Sequence, residues 1–256
     1  MGIILLFFTP YGVSESQLPD SCVSTYFDEK VEVNYVVDGD TVVLEDNRHI
    51  RLIGINTPEL GRDNRPDETG AEQAKLELER LLNTSKIVGL NYDIEQFDRH
   101  GRTLAHLYLE VGTNIQALML EDGLAIPLTI PPNFKHLDCY TEKAKTARTA
   151  QRGLWALDKY KARHVHSLAG KERGFNFIFG KVERVTESRS AIWINLENNV
   201  SLRIIKDDLK YFNHDALKSF AGNIIEAKGW LYKKKGQLRM RIRHPLDINI
   251  INLSEN

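Results

Sequence analysis

Twice along the chain, three short runs with strand character are followed by a helical stretch and then two more strand-like runs. That repeated order restricts the fold more than any other feature. From Val31 the first series reads as strand, Asp-Gly turn, strand, a second turn at Asp46-Asn47, and a third strand from His49 to Ile55. Thr69 followed three residues later by Glu72 reads as a capping box. Ala71, Ala74, Leu78, Leu81 and Leu82 then recur at helical spacing, so a helix is expected over 69–84. Strand-like runs return at Ile87–Ile94 and Leu104–Glu110, and helical stretches follow at Ile115–Asp122 and Asn133–Gln151, stopped by Gly123 and Gly153. The second series places strands at 175–186, 191–196 and 200–206, a helix around 208–221, and strands at 223–233 and 237–243. The expected fold is mainly β with helices (α+β): an OB-like five-stranded barrel followed by a second OB-like barrel, although other small α+β domains share the element order.

Boundaries follow from composition. Residues 1–16 read as a signal peptide, 17–30 as an N-terminal arm, 31–156 as the first domain, 157–174 as a polar linker without apolar period, and 175–253 as the second domain. The apolar run Ile3 to Phe8 is too short to span a bilayer, and a cut after Ser14 or Ser16 would place small residues where processing needs them. A basic leader is missing, so the alternatives are a true start upstream or an ordinary buried strand. A secreted or periplasmic location is expected, with no membrane span in the mature chain and a monomeric state. At 256 residues and 42% hydrophobic the chain can bury a core, so neither disorder nor a membrane barrel is needed to account for it. Its net charge of −1 hides a split: residues 1–170 carry 18 basic and 25 acidic side chains, residues 171–256 carry 16 and 10. A polyanion-binding module joined to a metal site would show this, as would a merely solvated surface. Cys22 and Cys139 are the two cysteines, and in an exported protein they are expected to pair. Two buried free thiols are the alternative.

Residues able to do chemistry are each ambiguous alone. Asp38-Gly39-Asp40-Thr41 reads first as a hairpin turn, in which Asp-Gly supplies positive φ. Arg51 alternates in phase with Ile53 and Ile55, so it faces an apolar side and needs an anionic partner, either a structural salt bridge or a bound anion. Asn56-Thr57-Pro58-Glu59 ends that strand in a proline-fixed bend that would hold Glu59 in one place, or forms a surface loop. Asp98-Arg99-His100-Gly101-Arg102 is a charged tight turn that leaves Arg102 able to point back at the barrel. His164 and His166 have a spacing that could serve a metal, but no cysteine or carboxylate is near in sequence, which favours a solvated linker. Lys233, Lys234 and Lys235 fall at a hairpin tip, and Arg239, Arg241 and Arg243 alternate along one strand face. With Trp193, Trp230 and Tyr232 they would make a single-strand groove, or else a solvated basic face with the aromatics in the core.

Together, and in order, D-G-D-T, R-x-x-x-x-N-T-P-E, D-x-x-G-R, N-x-x-A-L-M-L-E-D-G-L-A and A-R-T-A-Q-R-G-L-W resemble the staphylococcal-nuclease (thermonuclease) family over about residues 31–156. The resemblance implies calcium (Ca2+) as cofactor, with Asp40 as first ligand and the Thr57 carbonyl as another. The family's second aspartate falls on Asn56, which removes one formal charge from the site. It implies Glu59 as general base or water-orienting group, Arg51 and Arg102 as phosphate clamps, and Arg99 and His100 beside the nucleic acid. The family's base-stacking tyrosines are absent near 126–131, and His100 stands in place of another. Cleavage of DNA or RNA between phosphorus and the 5′ oxygen, leaving 3′-phosphate ends, is what the family would do. The other reading is a nucleic-acid-binding module whose catalysis is weakened by Asn56.

Overall fold

The computed structural model describes residues 22–61, 65–84 and 86–251, so the expected signal peptide at 1–16 lies outside the described residues. The chain runs β1 (Glu29–Asp38), β2 (Thr41–Leu44), β3 (His49–Leu52), β4 (Ile55–Asn56), α1 (Ala71–Asn83), β5 (Ile87–Asn91) and β6 (Thr103–Tyr108). It continues through α2 (Ile115–Glu121), β7 (Ile126–Pro127) and α3 (Leu137–Thr149). The second half holds β8 (Arg163–His164), β9 (Gly174–Glu187), β10 (Ala191–Leu196), β11 (Val200–Ile205), α4 (His214–Lys218), β12 (Ile224–Lys234), β13 (Gln237–Arg241) and β14 (Ile248–Ile250). Strands β1-β2-β3-β6-β5 close into a barrel, and β9-β10-β11-β13-β12 close into a second through the β12–β9 pairing. Each barrel has one parallel contact, β3 with β6 and β11 with β13, because the helical connection returns the chain across the barrel before its last hairpin. Both expected barrels are therefore present.

The periodicities explain which faces are covered. Ala71, Ala74, Leu78, Leu81 and Leu82 are the buried face of α1, as their spacing predicts. The capping box is not formed: Gly70, at φ 95°, takes the cap position without a side-chain bond. Asn114 caps α2 instead, its Oδ1 accepting the Ala117 N–H at 2.8 Å. The expected helix at 133–151 begins only at Leu137, and the one expected at 208–221 is a 3-10 turn over Lys206–Tyr211 followed by α4. Segment 157–174 is packed rather than free, with Val165 fully buried and Tyr160 and Leu168 nearly so. Cys22 and Cys139 form a disulfide across 117 residues, with Cα atoms 5.9 Å apart.

The barrels meet through a small apolar cluster in which Phe177 of β9 joins Ala147, Leu154, Trp155 and Tyr160. Arg148 lies over the Trp155 and Phe177 rings and binds Glu226 through both guanidinium nitrogens at 2.8 and 3.0 Å. Lys228 Nζ donates to the Pro127 carbonyl at 3.2 Å. These contacts hold a cleft of about 710 Å³ open between the two barrels.

Candidate active site

One wall of the cleft comes from β3, β4 and the turn before β6. The β1–β2 turn places Asp38 and Asp40 side by side, both buried, with the Asp38 Oδ1 accepting the Asp40 N–H at 3.1 Å. Gly39 is required there for space rather than for positive φ: a Cβ would lie 2.7 Å from the Ala74 Cβ and 2.9 Å from the Thr57 Cβ. The turn is thus pressed between α1 and the Thr57 bend. Asp40 Oδ2 accepts the Thr57 N–H at 2.9 Å and pairs with Arg51 Nη2 at 2.9 Å, while Thr41 Oγ1 donates to its Oδ1 at 3.2 Å. Arg51 stands opposite Thr41 on β3, and its guanidinium also donates to the Leu52 and Ile55 carbonyls at 2.6 and 3.0 Å. Its anionic partner is therefore Asp40.

Asn56 sits on β4, held by pairing with β7, and its Nδ2 faces the Thr57 carbonyl at 3.4 Å. The Asp38 and Asp40 carboxylates, the Asn56 amide and the Thr57 carbonyl offer hard oxygen donors, the set a calcium-sized cation takes once the Asn56 amide turns its oxygen inward. Burial, and then the charge of Asp40, raise the Asp38 carboxyl above its ordinary value. Glu59 is exposed as a residue, yet its carboxyl is also pushed up, first by desolvation and then by Asp40 and Asp38. In the sequence D-G-D-T reads as a turn, which does not mark Asp38 as a site residue. Only folding shows that its first aspartate is buried.

Across the same wall, the Asp98 carboxylate accepts the backbone N–H groups of His100 and Arg102 at 2.8 and 3.0 Å and the Arg102 Nε at 2.8 Å. Gly101, at φ 79° with no atom near its missing Cβ, closes this turn by conformational freedom alone. Arg99 and His100 are exposed at the tip, where Arg99 Nε donates to His100 Nε2 at 3.0 Å. Arg51, Asn56, Glu59, Arg99, His100 and Arg102 all line the cleft, with Asp40 and Thr57 buried behind them. Arg241 and Arg243 line it from the second barrel and converge on Asp208, at 2.8 and 3.9 Å. Arg243 lies beyond the end of β13. Lys233, Lys234, Lys235 and Arg239 are not among the cleft residues. Lys235 and Gly236, both at positive φ, form the hairpin tip, and Arg239 lies 4.8 Å from the Trp193 ring.

Chain folding also supplies the partner that the sequence around His164 and His166 lacks. Glu197 reaches both rings, its oxygens 3.3 Å from each Nε2. The His164 Nδ1 accepts the His166 N–H at 3.2 Å, so the neutral ring carries its proton on Nε2, toward Glu197. The ligand atoms of the three residues lie within 4.8 Å of one another, close enough to share a metal ion, and the group lies outside the cleft.

The chain is similar in sequence to known proteins. A family model described as staphylococcal nuclease homologue matches residues 49–157. The chain is 31% identical over 132 residues to a thermonuclease of Staphylococcus hyicus, covering 50% of this chain and 77% of the relative. It is 33% identical over 131 residues to a thermonuclease of Staphylococcus intermedius, covering 50% and 76%. An SPbeta prophage-derived endonuclease of Bacillus subtilis is 28% identical over 151 residues, covering 57% of this chain and 47% of the relative. The second barrel lies beyond the family match.

Proposed function

From the premise that this chain belongs to the staphylococcal nuclease family, we propose that it is a calcium-dependent endonuclease that hydrolyses DNA, RNA or both and leaves 3′-phosphate ends. The observation that carries this reading is the convergence on one cleft of Glu59, with its raised carboxyl, and of Arg51 and Arg102, in front of the buried Asp38 and Asp40. Water attack on a phosphodiester builds charge on the equatorial oxygens, and two guanidiniums held in place by Asp40 and Asp98 meet that charge without reorganising. Arginine suits the task because its planar fork binds two phosphate oxygens and keeps its charge. Glu59 takes a proton from the attacking water, and its raised carboxyl makes it a better acceptor than an ordinary glutamate. Calcium, held by Asp38, Asp40, Asn56 and the Thr57 carbonyl, would add positive charge beside the scissile phosphate. The Cys22–Cys139 bridge supports a secreted or periplasmic location, since disulfides persist in oxidising compartments. Arg99, His100, Lys233–Lys235, Arg239, Arg241 and Arg243 supply positive charge along the strand, and the protein acts as a monomer.

Incubation of the purified protein with plasmid and with single-stranded DNA, in calcium or in chelator, tests the reading. Cleavage in calcium alone is expected, with Glu59→Gln lowering turnover about a hundredfold or more while binding stays nearly unchanged. A protein that binds DNA but is inert at saturating calcium would instead be the weakened binding module.

A further inference from the structure

Facing Glu59 and the two arginines, the other wall of the cleft is aromatic. Along β12 the residues alternate: Ala227, Gly229 and Leu231 are buried in the second barrel, while Lys228, Trp230 and Tyr232 point outward on one face. Phe175 on the adjoining β9 lies directly opposite Trp230 in the β12–β9 register. Its ring meets the indole almost at right angles, 89°, with centroids 4.9 Å apart, a contact that fixes the indole orientation. All three aromatics line the same cleft as Arg51, Glu59 and Arg102. Trp230 nonetheless remains 45% exposed. A large apolar ring fixed by a neighbour, left open to water and turned into a cleft is the mark of a ligand contact rather than of core packing. Arg241 and Arg243 share the single Asp208 carboxylate on this wall, which leaves positive charge beside the rings. To that charge Phe175, Trp230 and Tyr232 add a flat aromatic surface.

We propose that Trp230, fixed by Phe175 and flanked by Tyr232, is a stacking platform for a nucleobase of a single strand whose phosphate lies at Arg51 and Arg102. The second barrel thereby forms half of the substrate groove. The inference rests on the nuclease reading for what the opposite wall does, and it adds the class of substrate. A base paired within a duplex presents no free face to an indole, whereas an unpaired base does. Single-stranded or locally opened nucleic acid is thus the preferred substrate.

Full-length wild type, Trp230→Ala and Trp230→Phe are to be compared on a single-stranded oligonucleotide and on the corresponding duplex. Trp230→Ala should raise KM on the single strand about tenfold with kcat within about threefold of wild type, and Trp230→Phe should recover most of the loss. Duplex cleavage and the melting temperature should change little. Oligothymidylate should also quench wild-type tryptophan fluorescence in chelator, where no cleavage occurs, and this quench should vanish in Trp230→Phe. An unchanged KM in Trp230→Ala, or a quench that persists in Trp230→Phe, overturns the stacking platform and leaves the nuclease reading standing. A Trp230-dependent quench in a protein that never cleaves overturns the nuclease reading and leaves the platform.

Discussion

Asp38 and Asp40 occupy one buried turn, and the consequence is a folded state that binds protons more tightly than the unfolded chain. The Asp38 carboxyl is raised from its ordinary 3.8 by burial and by Asp40. As pH rises through the interval between the unfolded and folded values, the unfolded chain has already lost its proton. The calcium-free protein therefore loses stability across that interval. A cation that needs the ionised carboxylate reverses the sign. Thermal melting in calcium and in chelator should show that stabilisation by calcium grows with pH from the ordinary carboxylate range toward neutrality. In the same titrations Asn56→Asp should lower the half-saturating calcium concentration about tenfold, because ligand charge tunes affinity in oxygen sites. Equal stabilisation at both ends of the pH range would remove Asp38 from the metal set.

At the scale of elements, the site depends on how closely three of them approach. α1, the β1–β2 turn and the Thr57 bend meet at Gly39, and neither the Ala74 Cβ nor the Thr57 Cβ can swing aside as a long side chain would. Gly39→Ala should cost about 1–3 kcal/mol in denaturant unfolding and, by displacing the Thr57 N–H from Asp40, should also weaken calcium binding. Loss of stability without loss of calcium affinity would uncouple the packing from the site. The sequence showed the elements well wherever one face is apolar: the five buried positions of α1 and the run Ala191–Leu196 need no tertiary information. It failed where partners are distant. The convergence of Arg241 and Arg243 on Asp208 and the meeting of Glu197 with His164 and His166 join residues whose proximity the pattern does not encode. D-G-D-T and N-T-P-E could be recognised as motifs, but the burial of Asp38 that makes the site electrostatically tense could not.

For the whole molecule, the two barrels are joined by Phe177, Arg148 and Lys228 contacts and share a cleft, so the acidic and basic halves of the sequence meet across it. The disulfide ties the chain ahead of the first barrel to α3. Replacing both Cys22 and Cys139 by serine should lower stability by about 2–5 kcal/mol, read as a drop in denaturant midpoint, with the effect absent when wild type is measured under reducing conditions. An unshifted midpoint would show that the bridge contributes nothing the fold does not already hold. The span it closes has a further consequence. Asp38, Asp40, Arg51, Asn56, Glu59 and Arg102 all lie between Cys22 and Cys139. A protease that nicks the chain once anywhere in that span yields two pieces that cannot drift apart. Their reassembly is then intramolecular, at an effective concentration set by the tether rather than by dilution. A single cut within the span thus leaves every residue of the site on one covalently joined molecule.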